Sequence, residues 1–139
     1  MAQTQATNGD DAGKLVLRLA LGLMLLLHGI AKLSGGIAAI SGMLERAGMP
    51  PALGYAVFVG EVLAPVLLVA GVWTRLAALL VVANMIVAVL LAHTADLFTL
   101  SKTGGWTLEL QGFYFFTAIA LALLGAGRYS LGGRHGRWN

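Results

Sequence analysis

Residues 52–72 read ALGYAVFVGEVLAPVLLVAGV, and this stretch decides the fold. It is apolar throughout except for Glu61, and it reaches the roughly 20 residues that a helix needs to cross about 30 Å of hydrocarbon. A carboxyl group at that depth costs about 2.5–3.5 kcal/mol, which makes such a residue a functional-site candidate by default. The stretch therefore predicts a membrane-spanning helix that carries a functional carboxyl group.

Three further apolar runs of helical length lie at residues 15–33, 76–92 and 108–126. Hydrophobic residues make up 58% of the chain and charged residues only 11%, which is too few to cover the surface of a soluble domain. Because lipid offers no partners to backbone polar groups, each run must be helical. We therefore expect an all-α fold, an integral membrane four-helix bundle.

The segment between the first two runs, SGGIAAISGMLERAGMPP at residues 34–51, contains a shorter helical pattern. Ile37, Ile40 and Leu44 recur at helical spacing, and Gly48 and Pro50 end the pattern. We expect an additional short helix in this loop, lying in the membrane interface.

The two ends of the chain are polar. Residues 1–13 predict a disordered N-terminal tail, residues 14–131 a four-span membrane domain, and residues 132–139 a basic C-terminal tail. The positive-inside rule places both termini in the cytoplasm, because their side of the bundle carries more basic residues than the opposite side. The richer side has Lys14, Arg18, Arg75, Arg128, Arg134 and Arg137, and the other has Lys32, Arg46 and Lys102.

The composition also limits the chemistry. The chain contains no cysteine, which excludes thiolate metal sites, thiol nucleophiles and dithiol redox chemistry. The Glu-x-x-His pairs of di-metal bundles are absent too, so we expect no metal. The pI is about 9.7, but the basic residues lie at helix ends, where they meet anionic headgroups. Membrane lipids are the expected partners, and nucleic acid is not.

Polar side chains collect in one half of the predicted bundle. At about 1.5 Å per residue from the loop ends of the runs, Glu61 and Asn84 lie about 12–13 Å deep, and His28 about 7 Å. The half nearer the termini is nearly bare of such groups. We expect Glu61 and His28 to handle protons at a ligand site in this half. The predicted ligand-binding residues are His28, Lys32, Glu61, Asn84, His93 and Glu109.

Two backbone irregularities are expected around this site. Asn84 and His93 lie 180° apart on a straight helix, so both reach one site only if the helix unwinds before His93. Pro65 has no N–H and cannot donate to the Glu61 carbonyl, which predicts a kink in the second span. We expect both departures from a regular helix.

Several of these positions also have a purely structural interpretation. Lys32 can snorkel to the surface, and Glu109 can stabilise a helix N-terminus. Glu61 can be a neutral acid or can form an ion pair with Lys32 or Arg46. Arg18 and Arg75 are interpreted as determinants of topology, and Gln111 as an interhelical hydrogen-bonding group.

Four motifs accompany these positions: His28-Gly29-x-x-Lys32, Gly60-Glu61, Gly104-Gly105-Trp106-x-x-Glu109 and Gly125-Ala126-Gly127-Arg128-Tyr129-Ser130-Leu131. With them, residues 13–132 resemble the DoxX family of small bacterial four-helix integral membrane proteins. Ala126 and Gly132 stand where that family usually has proline and aspartate. The resemblance implies a multi-pass protein of the bacterial inner membrane, with recurring polar positions at His28, Lys32, Glu61 and Glu109.

Some DoxX proteins are described as subunits of thiosulfate:quinone oxidoreductase or as parts of membrane complexes linked to oxidative stress, and most have no assigned activity. We therefore expect a membrane subunit of a redox-associated complex that binds quinone or quinol, with the apolar tail against Phe58, Phe113 and Phe116. The sequence shows no electron carrier, so a partner redox protein is expected. A non-enzymatic scaffold or assembly factor and a small proton-linked transporter remain alternatives, and homo-oligomerisation stays open.

Overall fold

The computed structural model of the protein describes residues 8–139. Apart from a single β-bridge between Leu100 and Trp106, these residues form helices, turns and loops, which confirms the all-α prediction. The α-helices are α1 (Asn8–Gly35), α2 (Ala38–Arg46), α3 (Ala64–Ala70), α4 (Thr74–Ala92) and α5 (Glu109–Leu124). Helix α2 is the additional short helix that was predicted in the first loop.

Among the described residues, three helical segments are long and apolar enough to cross a membrane: Asn8–Gly35, Pro51–Ala70 and Thr74–Ala92. We call Pro51–Ala70 the second span; it ends in α3. Helix α5 completes the bundle with 16 residues, fewer than the predicted run at 108–126. The helix ends early because Gly125 has a φ of 77°, outside the helical region.

The bundle buries a small apolar core and leaves apolar side chains on its outer surface. Leu25, Leu68, Val81 and Leu121 meet in the core with almost no exposure. On the outside, Phe113 is 72% exposed, as expected of a surface that contacts lipid instead of water.

Glycines on one face of α1 bring the first two spans close together. A Cβ at Gly22 would lie 2.7 Å from Cγ2 of Val69, and a Cβ at Gly29 would lie 2.7 Å from the carbonyl carbon of Glu61. Both distances are too short for any larger residue. The backbone of Glu61 is therefore positioned directly by α1.

Helix α1 includes residues 8–13. The sequence had suggested that these residues belong to a disordered tail, which is wrong for this part of it. Asp11 is fully buried in the first turn, where the helix dipole stabilises a carboxylate. It accepts hydrogen bonds from the Arg128 backbone N–H and from the Arg134 guanidinium. The bond to Asp11 raises the pKa of Arg134, because it favours the charged guanidinium. Residues 1–7 of the predicted tail lie outside the described residues.

The half of the bundle near the termini contains a buried arginine, which corrects the interpretation of Arg18 as mainly a determinant of topology. Arg18 is 1% exposed. Its Nε donates to the Leu68 carbonyl at 2.8 Å and its Nη1 to the Ala126 carbonyl at 2.7 Å. Further bonds reach the Val69 and Tyr129 carbonyls. Arg18 thus supplies hydrogen-bond donors to carbonyls near the C-terminal end of α3 and in segment 125–139.

Arg75 does the same for α5, donating to the Ala122 and Leu123 carbonyls at 2.8 and 2.9 Å. The segment 125–139 folds back against this end. Asn139 accepts from the Thr74 N–H through Oδ1 at 3.1 Å and donates to the Gly71 carbonyl through Nδ2 at 3.1 Å. The predicted basic tail at 132–139 is therefore packed against the turn between the second span and α4.

Candidate functional site

The second span changes its helical type around Glu61. It starts as a 3₁₀ turn at Pro51–Ala56, widens to a π-helical turn at Val59–Leu63 and continues as α3. The Ala64 N–H bonds to the Val59 carbonyl, five residues earlier. Pro65 cannot donate to the Glu61 carbonyl, so an α-helical ladder would have a gap here. The predicted irregularity is thus a widened turn, a feature that often marks functional sites.

Glu61 is held in an ion pair. The residue is only 6% exposed, and its Oε2 accepts a hydrogen bond from Lys32 Nζ on α1. Its Oε1 lies 3.4 Å from Asn84 Nδ2 on α4. Lys32 therefore does not snorkel away from the bundle. The contacts of Glu61 match the structural interpretation, in which this residue is an ion-paired acid. Three helical segments meet at this carboxylate.

A cavity of about 820 Å³ opens beside the ion pair, in the half of the bundle near the loops. Most of its wall is apolar, with contributions from α1, α2, the second span, α4 and α5. His28 lines it and is otherwise exposed; its ring meets the Tyr114 ring edge to face, with centroids 6.0 Å apart. The cavity is therefore an apolar chamber with polar groups concentrated at a few points, the usual form of a small-molecule site.

A second polar cluster lies where α4 ends. Helix α4 stops at Ala92, and His93 follows with a φ of −135°, which confirms the predicted unwinding. His93 Nδ1 lies 3.1 Å from Asp96 Oδ2, and His93 Nε2 lies 3.5 Å from Gln111 Nε2 on α5. Gln111 also lines the cavity. The interhelical contact predicted for it is therefore made with His93 at this site.

The structure brings five of the six predicted ligand-binding residues to this cavity: His28, Lys32, Glu61, Asn84 and His93. Glu109 does not line it. The Glu109 carboxylate instead packs against Gly105, in the loop before its own helix. Phe58, Phe113 and Phe116, the expected contacts of an apolar tail, are likewise absent from the cavity wall. The apolar part of the wall is mostly aliphatic.

Tyr114 lines the cavity and was missed by sequence reasoning. Asp96 does not line the cavity, and its pairing with His93 was not predicted. Tyr114 is three residues after Gln111 and so shares its helix face, a relation that could have identified it. Asp96 follows His93 by three residues in a short 3₁₀ turn, Thr94–Asp96. Its position depends on the loop that follows, in which Trp106 Nε1 donates to the Leu97 carbonyl at 2.9 Å. The sequence gives no periodic signal for such a loop.

The comparisons with known proteins agree with the fold. The DoxX family model matches residues 13–94, which include α1, α2, the second span, α4 and all five cavity residues named from the sequence. The chain belongs to the DoxX family. No curated protein and no solved structure matches the chain. Membership in this membrane family, together with three apolar helices of spanning length, places the protein in a membrane.

The chemistry that this DoxX-family cavity offers is hydrogen bonding and proton exchange. Within residues 8–139, no group of three or more histidine or carboxylate side chains could hold a metal ion. Lys32 and Asn84 supply N–H donors at the deep end, and Glu61 supplies a carboxylate. His93 and Gln111 supply polar atoms nearer the loops. A ligand with an apolar body and oxygen atoms at its edges suits this arrangement.

Proposed function

We propose that the protein is the membrane subunit of a redox-associated complex and that its cavity binds the headgroup of a quinone or quinol. The observation that supports the proposal is the Lys32–Glu61 pair beside a mostly apolar cavity of about 820 Å³. A soluble polar ligand would make few favourable contacts with the aliphatic wall, whereas a lipid-like ring compound would bury its apolar surface against it. The DoxX family is a membrane family often linked to redox or quinone-related functions, which favours the same ligand class.

The hydrogen-bonding groups fit a quinone headgroup. A quinone carbonyl needs a donor, and Lys32 is 29% exposed at its side chain, so it faces the cavity while it is paired with Glu61. His28 offers a further polar atom on the same helix, four residues earlier. These side chains bind and exchange protons, but none of them carries electrons. Oxidation of a bound quinol therefore needs a partner redox protein.

The proposed setting is the bacterial inner membrane, with both termini in the cytoplasm. The end formed by residues 71–75, the start of α1 and segment 125–139 is the basic end of the bundle, with Arg128, Arg134 and Arg137. By the positive-inside rule this end faces the cytoplasm. The cavity then opens in the outer half of the membrane.

Titration of the purified protein with a short-tailed benzoquinone tests the proposal. We expect saturable binding by the wild-type chain and at least tenfold weaker binding by Glu61→Gln and by His28→Ala. His135→Ala, a substitution in the exposed C-terminal segment, is the matched control and keeps wild-type affinity. Negligible and indistinguishable signals from all four proteins would exclude quinone binding.

The same variants distinguish the scaffold alternative. If Glu61→Gln lowers the thermal midpoint of unfolding while quinone affinity at low temperature stays at the wild-type value, the ion pair is a structural element. The protein would then act as a membrane scaffold.

A further inference from the structure

His93 and Asp96 form a hydrogen-bonded pair at the loop end of the cavity that the proposed function above does not use. The Nδ1–Oδ2 distance is 3.1 Å, within the range of a hydrogen bond. An ionised carboxylate only accepts hydrogen bonds, so it fixes the ring proton on Nδ1. Nε2 of the neutral ring is then a hydrogen-bond acceptor.

The other neighbour of His93 is consistent with that tautomer. Gln111 Nε2, an amide donor, lies 3.5 Å from His93 Nε2. His93 and Gln111 both line the cavity. The side chains of His93 and Asp96 are 35% and 38% exposed, which gives the pair contact with water outside the cavity.

The deep end of the cavity has a different character. Each oxygen of the Glu61 carboxylate already has one partner there, Lys32 for Oε2 and Asn84 for Oε1. Lys32 is a donor with no acceptor capacity. Along α4, Asn84 and His93 are separated by a rise of about 14 Å. The cavity therefore has a donor-rich deep end, and at its loop end it has the acceptor nitrogen of His93 beside the Gln111 amide.

We propose that His93 is the specificity-determining residue that makes the cavity prefer a ring hydroxyl over a ring carbonyl at the loop end. His93 Nε2 accepts the hydrogen bond of the hydroxyl in place of its 3.5 Å contact with the Gln111 amide, and Asp96 is the positioning residue that holds the proton of the neutral ring on Nδ1. A carbonyl at the same place would meet a lone pair and lose its hydrogen bond. The site thus binds the hydroquinone form of its ligand more tightly than the quinone form. This inference rests on the proposed quinone site and adds the redox form that it selects.

The test is anaerobic titration of the full-length protein with a decyl-tailed benzoquinone and with its hydroquinone. For the wild type we expect about tenfold tighter binding of the hydroquinone, the effect of one hydrogen bond made or lost with a desolvated partner. His93→Ala brings the ratio of the two affinities to about one. His93→Gln, which restores an acceptor oxygen, recovers part of the ratio. His135→Ala keeps the full ratio.

Asp96→Asn isolates the positioning role. The amide no longer forces the proton onto Nδ1, so the ratio falls toward one while the affinity for the quinone does not decrease. A merely structural role for Asp96 would weaken both ligands equally and leave the ratio unchanged, which overturns the assignment.

The inference and the proposed function fail in different ways. Wild-type protein that binds neither compound contradicts both. Wild-type protein that binds both with equal affinity, or a His93→Ala variant with the wild-type ratio, overturns the His93 inference and leaves the quinone site intact. Circular dichroism of each variant in the same detergent shows that the helical fold persists.

Discussion

Glu61 can remain a buried carboxylate because Lys32 lies beside it. With 6% of the residue exposed, an isolated charge would be strongly disfavoured, and the Lys32 ammonium offsets that cost. Replacing only one partner of this ion pair destabilises the fold. Removing either charge leaves the other in a mostly apolar cavity, whereas removing both returns the region to an apolar core.

A double-substitution experiment measures this coupling. Lys32→Met and Glu61→Leu should each lower the free energy of unfolding by about 2–4 kcal/mol, somewhat less than for a fully buried pair because the Lys32 side chain is 29% exposed. The double variant should recover most of that loss. Reversible unfolding in mixed micelles gives the three values.

The exposed Lys102→Met is the control and should stay within about 0.5 kcal/mol of the wild type. Strictly additive losses in the double variant would mean that the two side chains do not interact.

At this scale the sequence revealed which residues are polar at depth, but it left the Lys32–Glu61 pair as one interpretation among several. Glu61 was identified because a lone carboxyl group stands out in an apolar run. Its pairing with Lys32 depends on the rotation of α1 against the second span, which no pattern in one helix determines. Arg18 was misjudged for a related reason: the carbonyls that it satisfies come from two distant segments.

At the scale of the helices, the close approach of α1 to the second span determines whether the cavity forms. Gly29 lies where a Cβ would overlap the Glu61 backbone, while Gly35 on the same helix has no atom within 4 Å of the position of a Cβ. The two glycines differ in packing, although both lie in α1.

Gly29→Ala should therefore destabilise the protein by about 1–3 kcal/mol, the usual cost of overpacking, and weaken ligand binding with it. Gly35→Ala adds helix propensity without a clash and should be neutral or stabilising by up to about 1 kcal/mol. Thermal unfolding and quinone titration of both variants test the contact. Equal behaviour of the two variants would show that the spans are not in close contact at Gly29.

The arginines near the termini donate hydrogen bonds to backbone carbonyls at the other end of the helices. Arg18→Met keeps the length of the side chain and removes hydrogen bonds to carbonyls of the second span and of segment 125–139. We expect a loss of about 3 kcal/mol or more in the free energy of unfolding, because several buried carbonyls lose their partner.

Arg137→Met, at an exposed position, is the comparison and should have little effect. A stable Arg18→Met protein would show that water replaces the guanidinium at no cost.

For the whole molecule, the number and type of the spans followed from the sequence because lipid leaves a backbone few alternatives to a helix. The first and last residues of the helices were predicted less accurately from the sequence. Helix α1 begins earlier than its apolar run, because Asp11 finds partners in a segment more than a hundred residues away. Long-range contacts of this kind also fold segment 125–139 against the bundle, including residues 132–139, which composition identified only as a basic tail.

The orientation of the molecule is the remaining prediction at this scale, and the cysteine-free chain makes it measurable. Lys102→Cys puts a single thiol in the loop before α5, and Arg137→Cys puts one in the basic C-terminal segment; both positions are exposed. If the basic end faces the cytoplasm, a membrane-impermeant maleimide added to intact spheroplasts labels Lys102→Cys at once and Arg137→Cys only after the membrane is opened. The reverse pattern would place the cavity in the cytoplasmic half of the membrane. A quinol bound there would release its protons to the cytoplasm, so the labelling result also determines which side of the membrane the proposed His93–Asp96 pair serves.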